Sequence, residues 1–297
     1  MFRSRLWTAL LVTLCPALAA AQDTAPGGVK KVAQEADGPK YIRVVRDEKG
    51  KPLTMDTPIV RMVKADNPNV VVDLVGAVHI GEGSYYSELN KRFEGYEAVL
   101  YELVAPPGTK IPKEGKRGND ANPVSGLQQG MKSMLGLEFQ LEKIDYTKAN
   151  FIHADMSPEE MAKTMKDRGE SILQMFLKAM GSGMAKQGAQ KNSDLDVLSA
   201  LFSPDRPNKL KLAMAEQFDN MEGEMAIFDG PEGSTIITER NRKALEVLKR
   251  ELDAGKKKLA IFYGAGHLAD MEKRMEKDFG MKRAGEEWVV AWKLGDK

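Results

Sequence analysis

Residues 70–79 read Val-Val-Val-Asp-Leu-Val-Gly-Ala-Val-His. The run Val70–Val78 is almost continuously apolar and β-branched, without the polar alternation of a half-exposed strand. That pattern predicts a strand covered on both faces, as in the parallel sheets of α/β proteins. A helical stretch follows at Ser84–Phe93, then a second buried-strand run at Ala98–Val104. Strand, helix and strand with short connections form a βαβ unit, whose strands run parallel through a right-handed crossover. The same order recurs near the far end: a strand at Leu259–Tyr263, a helix at Leu268–Phe279 and a closing strand at Trp288–Lys293. The expected fold is therefore α/β, with a parallel-type core sheet built from two βαβ halves. Upstream, Tyr41–Val45 and Pro58–Val63 flank a Lys-Gly-Lys-Pro turn and suggest a hairpin.

Between the two halves lies a Met-rich helical insertion, spanning about 125–230. Ser157-Pro158-Glu159-Glu160 has the form of a helix start, with a serine cap, proline in the first turn and a glutamate that returns to the cap. Met161, Met165, Ile172, Met175, Phe176 and Met180 then recur at helical spacing. A Gly-, Ala- and Gln-rich break at Gly181–Ser193 separates this stretch from helices near Asn208–Met225 and Thr235–Leu252, the last ending at Gly255. Methionine fills irregular cores and lines peptide or lipid grooves alike, so both readings stand for these helices.

The 297 residues are 42% hydrophobic and 29% charged, which excludes disordered and collagen-like classes. A formal net charge of +1 gives no support to a nucleic-acid binder. Arg3 and Arg5, the apolar run Leu6–Leu14 and the small residues Ala17–Ala21 have the form of a signal peptide over residues 1–21. The apolar run is shorter than the roughly 20 residues of a membrane-spanning helix. Residues 22–40 read as a flexible leader, and 41–297 as one α/β domain of an exported protein, periplasmic or secreted. The chain's single cysteine, Cys15, falls in the signal, so the expected mature chain has no thiol chemistry. No later stretch suits a transmembrane anchor. No His-Glu-x-x-His, Gly-x-Ser-x-Gly, Walker or EF-hand pattern occurs.

The chain has three histidines. Two share one frame, Gly76-Ala-Val-His79 and Gly264-Ala-Gly-His267, each where a predicted strand runs out. In an open parallel sheet, ligands bind outside the carboxyl ends of the strands. A histidine there is either a hydrogen-bonded turn residue or a ligand or base. Glu102 lies inside the second buried run. A carboxylate so placed costs several kcal/mol unless a salt bridge, a metal or a catalytic role compensates it. In the helix at Thr235–Leu252 the stripe Ile237, Ala244, Leu245, Leu248, Leu252 carries Asn241 with it, and Arg240 borders that stripe. An inward Arg-Asn pair requires a buried partner, for which Glu102 is the candidate. His153 and Asp155 precede the cap at Ser157; Asp155 reads as a helix-start residue, or the two read as extra ligands or proton carriers. The loop Ala105–Val124 reads equally as a lid or as disorder. Gly264–Ala269 also fits a loose dinucleotide fingerprint. However, Glu286 and Glu287 precede the next strand, whereas the ribose-binding acid should end it.

At these residues the sequence resembles the TraB/PrgY/GumN family, part of the wider superfamily of Tiki proteases, erythromycin esterases and haem-binding ChaN-like proteins. The resemblance is carried by Gly76–His79, Tyr101-Glu102, Glu239-Arg240-Asn241 and Gly264–His267, in the family's order over most of the mature chain. It implies an α/β fold with a site built from both halves and, for Tiki-like members, metal-dependent peptide hydrolysis. On that basis His79 and His267 would be metal-binding or catalytic, and Glu102 a ligand or general base. Arg240 would stabilise charge or hold the glutamate. The implied cofactor is a divalent cation (Mn, Fe, Co or Zn), and the implied partner a peptide or protein substrate. The Met-rich middle matches no motif of the family. The competing expectation is a non-catalytic haem-, iron- or peptide-binding protein of the same superfamily. Aromatic residues at 7% are few for a haem pocket. Neither the metal nor the oligomeric state follows from the sequence.

Overall fold

In the computed structural model the apolar run at Val70 becomes β3 (Asn67–Ala77), and it is covered on both faces as its sequence predicts. Val70, Val72 and Leu74 point into one apolar core, and Val75 and Ala77 into another. The structure describes residues 40–111, 135–171, 205–221 and 233–295. The expected signal peptide, almost all of the leader, much of the loop after Val104 and most of the Met-rich spacing lie outside these residues.

β1 (Arg43–Arg46) and β2 (Pro52–Lys64) form the expected hairpin around Gly50, whose φ of +79° places it in the left-handed region. The pairing is with Thr54–Asp56 rather than with Pro58–Val63, which pair instead with β3 and β9 (Met281–Lys293). A short ribbon joins β4 (Ile80–Gly81) to β6 (Glu138–Phe139). α1 (Gly83–Phe93) then leads to β5 (Ala98–Tyr101), and α2 (Gln140–Lys143) to β7 (Phe151–His153). α3 (Pro158–Asp167) and α4 (Arg206–Met221) follow. A π-helix (Thr235–Glu239) opens into α5 (Arg240–Asp253), then come β8 (Lys258–Gly264), a 3-10 turn (Ala265–His267) and α6 (Leu268–Phe279). Ser157 caps α3 as its sequence indicates: its Oγ accepts from the Glu160 backbone N–H at 3.1 Å, and its own N–H donates to Glu160 Oε2 at 2.8 Å. Among the described residues no helix is long and apolar enough to cross a membrane.

The seven-stranded sheet runs β9, β2, β3, β8, β5, β7, with β1 continuing the line of β3 along β2. β3, β8, β5 and β7 are mutually parallel, whereas β1, β3 and β9 are each antiparallel to β2. The fold is thus α/β with a mixed sheet, and β2 is the one described strand of this sheet that runs against the rest. α1 packs on one face through Tyr85, Tyr86, Leu89 and Phe93; α5 and α6 cover the other through Leu245, Leu248, Met271 and Met275.

Two connections differ from a simple tandem of βαβ units. β8 lies between β3 and β5, so the first crossover spans a gap that the second half fills. β9 does not pair beside β8; it crosses two strands to lie along β2. Side-chain chemistry accounts for both placements. Leu259 to Tyr263 of β8 are fully buried, as suits the most covered position in the sheet. β9 carries Lys282, Arg283, Glu286 and Glu287, and such charges belong on an edge strand. A third difference is β7, an edge strand that the long, nominally helical insertion contributes to the main sheet.

Gly76 sits where β3 is pressed from two sides. A Cβ there would lie 3.3 Å from the Pro58 ring and carbonyl of β2 and 3.4 Å from Leu268 of α6. The expected result for Gly76→Val is a loss of about 1–3 kcal/mol from overpacking, measured by urea unfolding. A variant as stable as the parent would show that this contact yields freely.

Candidate functional site

The carboxyl ends of β3, β8, β5 and β7 meet at one end of the sheet, and the polar residues of interest leave from there. Glu102 follows β5 directly, with its backbone N–H still bonded to the Phe262 carbonyl at 3.1 Å. Asp155 follows β7 by two residues, and His267 closes the 3-10 turn after β8. Arg240 and Asn241 are the first two residues of α5, carried there by the π-helix, whose Ser234 caps it by accepting from the Ile237 N–H. Single π turns of this kind are frequent at functional sites.

These residues close into one network. Arg240 donates through Nε to Asp155 Oδ1 at 2.9 Å and through Nη2 to Asp155 Oδ2 at 2.6 Å, a two-point grip on one carboxylate. The same Nη2 donates to Glu102 Oε1 at 2.7 Å. The other oxygen, Oε2, accepts from the Gly264 backbone N–H at 2.7 Å. His267 Nε2 faces Glu102 Oε1 at 3.7 Å, and its Nδ1 lies 2.6 Å from Asn241 Oδ1. The Tyr263 ring meets the imidazole edge-on at 5.2 Å, and the Tyr263 hydroxyl donates to the Ala154 carbonyl. The Asp155 side chain is fully enclosed, and those of Arg240 and Glu102 are only 9% and 11% exposed.

Burial pushes the Glu102 carboxyl up, but the charge His267 carries in acid, the Arg240 guanidinium and the Gly264 N–H outweigh it. Its pKa falls to about 2. Burial disfavours the Arg240 charge too, yet Asp155 and Glu102 reverse this and hold the guanidinium protonated. For His267 burial prevails: its pKa is lowered, against the pull of Glu102, so the imidazole is neutral near pH 7. With a neutral imidazole, two carboxylates against one guanidinium leave one net negative charge in the network.

The sequence-nominated residues do not all converge. Glu102, Asp155, Arg240, Asn241 and His267 do. Asp155 takes no part in starting α3, which Ser157 caps; it is the partner of Arg240. Arg240 gives Nε and Nη2 to the two carboxylates, which matches the expected role of holding the glutamate. His79 is exposed, although its charge is among those that steady Glu102. Its backbone carbonyl accepts from Gln140 N–H at 2.9 Å. His153 turns to the end of the neighbouring β5, with Nε2 2.6 Å from the Leu103 carbonyl and its ring 5.7 Å from Tyr101. Sequence reasoning missed Asp270, which accepts from Asn241 Nδ2 at 2.8 Å. Its position three residues after His267, on the same helical face, was the available signal. It also missed the Gly264 N–H, which no side-chain pattern reveals. Among the described residues no group of three or more His, Cys, Asp or Glu is arranged to hold a metal ion. Comparison with known protein families, with curated proteins and with solved structures returns no match for this chain.

The ion network sets an acid response. The Glu102 carboxyl binds its proton at about pH 2 in the folded chain and near 4.5 otherwise. Its contribution is therefore complete above pH 4.5 and is lost as pH falls towards 2, a change on the order of 3 kcal/mol. Urea unfolding between pH 6 and pH 2.5 is expected to show a steep acid limb for the parent and a shallower one for Glu102→Gln. Equal slopes would contradict this account of the ion pairs.

Proposed function

We propose that the chain is an exported hydrolase that depends on a divalent cation and cuts peptide bonds at the Glu102–His267 pair. One observation carries the reading: His267 Nε2 and Glu102 Oε1 face each other at 3.7 Å, and both are acceptors. Asn241 Oδ1 takes the hydrogen of Nδ1, so a neutral imidazole has its lone pair on Nε2. A lone pair and a carboxylate at that separation repel unless something positive is shared between them. Two ligand bonds of about 2.0–2.2 Å span the gap. The net negative charge of the Glu102–Arg240–Asp155 network favours a cation there as well.

Glu102 and His267 would hold the cation between them. Imidazole and carboxylate suit Zn, Mn, Fe and Co alike. When bound, such a cation supplies Lewis acidity and a water acidified to near-neutral pH. The residues divide the remaining tasks. With its pKa at about 2 and both oxygens bonded, Glu102 is an anionic ligand and a poor base at neutral pH. His267, neutral and with its lone pair on Nε2, is the second ligand. Arg240 sets the direction of the Glu102 carboxylate and, by way of Asp155, ties it to the end of β7. The resemblance to Tiki-like proteases supplies the substrate class, and the reading of residues 1–21 the location.

Incubation of the purified protein with a peptide library, with and without chelator and with Mn, Fe, Co or Zn restored, tests the proposal. The expected result is cleavage that the chelator abolishes and one of these metals restores. Glu102→Gln and His267→Ala should each lower kcat/KM by at least about 100-fold, and His79→Ala by less. Full activity in chelator, or loss of structure as the sole cause of the variants' defects, would sink the metal-dependent mechanism. The rate should rise with pH along an acid limb whose midpoint lies below 6.5, since burial lowers the pKa of a group that must be neutral. A midpoint above 6.5 would exclude His267 as that group.

A further inference from the structure

Asn241 is fully buried and stands between two partners. Its Nδ2 donates to Asp270 Oδ2 at 2.8 Å and to the His267 backbone carbonyl at 3.0 Å, while its Oδ1 lies 2.6 Å from His267 Nδ1. Both groups on the Nδ2 side are acceptors, so the amide has one orientation that satisfies them, with its carbonyl towards the imidazole. A carbonyl at that distance requires a proton on Nδ1. Asp270 is in turn held by Arg274 Nε at 2.7 Å, one turn further along α6.

We propose that Asp270 is a positioning residue. Acting through the Asn241 amide, it locks His267 in the Nδ1–H tautomer and presents a bare Nε2 to Glu102. The chemistry explains why an amide stands between them. An aspartate placed directly on Nδ1–H makes the imidazole more basic and favours its charged form. An intervening amide fixes tautomer and ring orientation while bringing only a partial charge, which suits a ligand that must stay neutral. The inference rests on the hydrolase reading for the use made of Nε2, but the tautomer is a property of the chain by itself.

The test uses the full chain with isotopically labelled histidine, freed of metal by chelator, so that only three imidazoles are observed. His267 is assigned from the resonance lost in His267→Gln. Nitrogen chemical shifts should show a protonated Nδ1 and a bare Nε2 in the parent. Asp270→Asn keeps the shape but can offer its own NH2 to Asn241, which frees that amide to turn over. This variant should shift His267 towards the Nε2–H tautomer and weaken Mn binding by roughly 10- to 100-fold. Arg274→Gln, at a side chain that is 26% exposed, should move both readouts the same way by less. Asp270→Glu, which keeps the carboxylate, should retain the parent pattern. An Nε2–H tautomer in the parent, or no change of tautomer in either Asp270→Asn or Arg274→Gln, would overturn the proposal. If the tautomer responds as expected but the parent neither binds a metal nor cleaves peptides, the positioning role stands and the hydrolase reading falls.

Discussion

A guanidinium shared by two enclosed carboxylates is the constraint on which the rest of the site depends. Arg240 comes from α5, Asp155 from the segment after β7 and Glu102 from the end of β5, so three parts of the chain meet at one cation. Each of these charges is expensive to remove from water by itself, and removing one partner of a buried pair costs about 3–5 kcal/mol because the other remains uncompensated. The network is therefore an all-or-nothing arrangement. It places the end of β7, a three-residue edge strand, and fixes the direction of the one carboxylate that faces His267.

The two Gly-Ala-x-His frames show how little a local motif decides. They end adjacent parallel strands, with Ala77 of β3 in register with Gly264 of β8. Beyond that point the paths part. After Gly264 the chain curls through a 3-10 turn into α6, which brings His267 inward against Tyr263 and Asn241. After Ala77 it leaves the sheet towards β4, and the backbone of His79 is taken up by Gln140 while its side chain remains exposed. One frame yields a buried, neutral imidazole and the other a surface one. The difference lies in what each strand connects to.

Much of the fold was legible because its signals are local. The both-faces-apolar runs became β3, β5 and β8; the serine cap before Pro158 started a helix where expected; the stripe of the Thr235 helix turned Arg240 and Asn241 inward, and Arg240 met Glu102. What was misread depended on partners remote in sequence. Asp155 read either as a helix-start residue or as an extra site residue, and nothing nearby announces its arginine partner, which lies 85 residues away. β7 passed unnoticed because three residues carry no period. β9 was expected beside β8, yet its charged stretch fits only an edge, and that edge is offered by β2.

The sequence by itself determined the α/β class, the sheet-end location of the polar residues and the identity of most members of the site. Apolar periodicity, caps and strand-terminal glycines act within a few residues and need no tertiary partner. Only the tertiary structure decided the strand order, the opposite burial of His79 and His267, and the pairing of Asp155 with Arg240. It also brought Asp270 to Asn241. Those outcomes turn on which charges can be compensated when distant segments are packed together, and compensation is a property of the assembled interior.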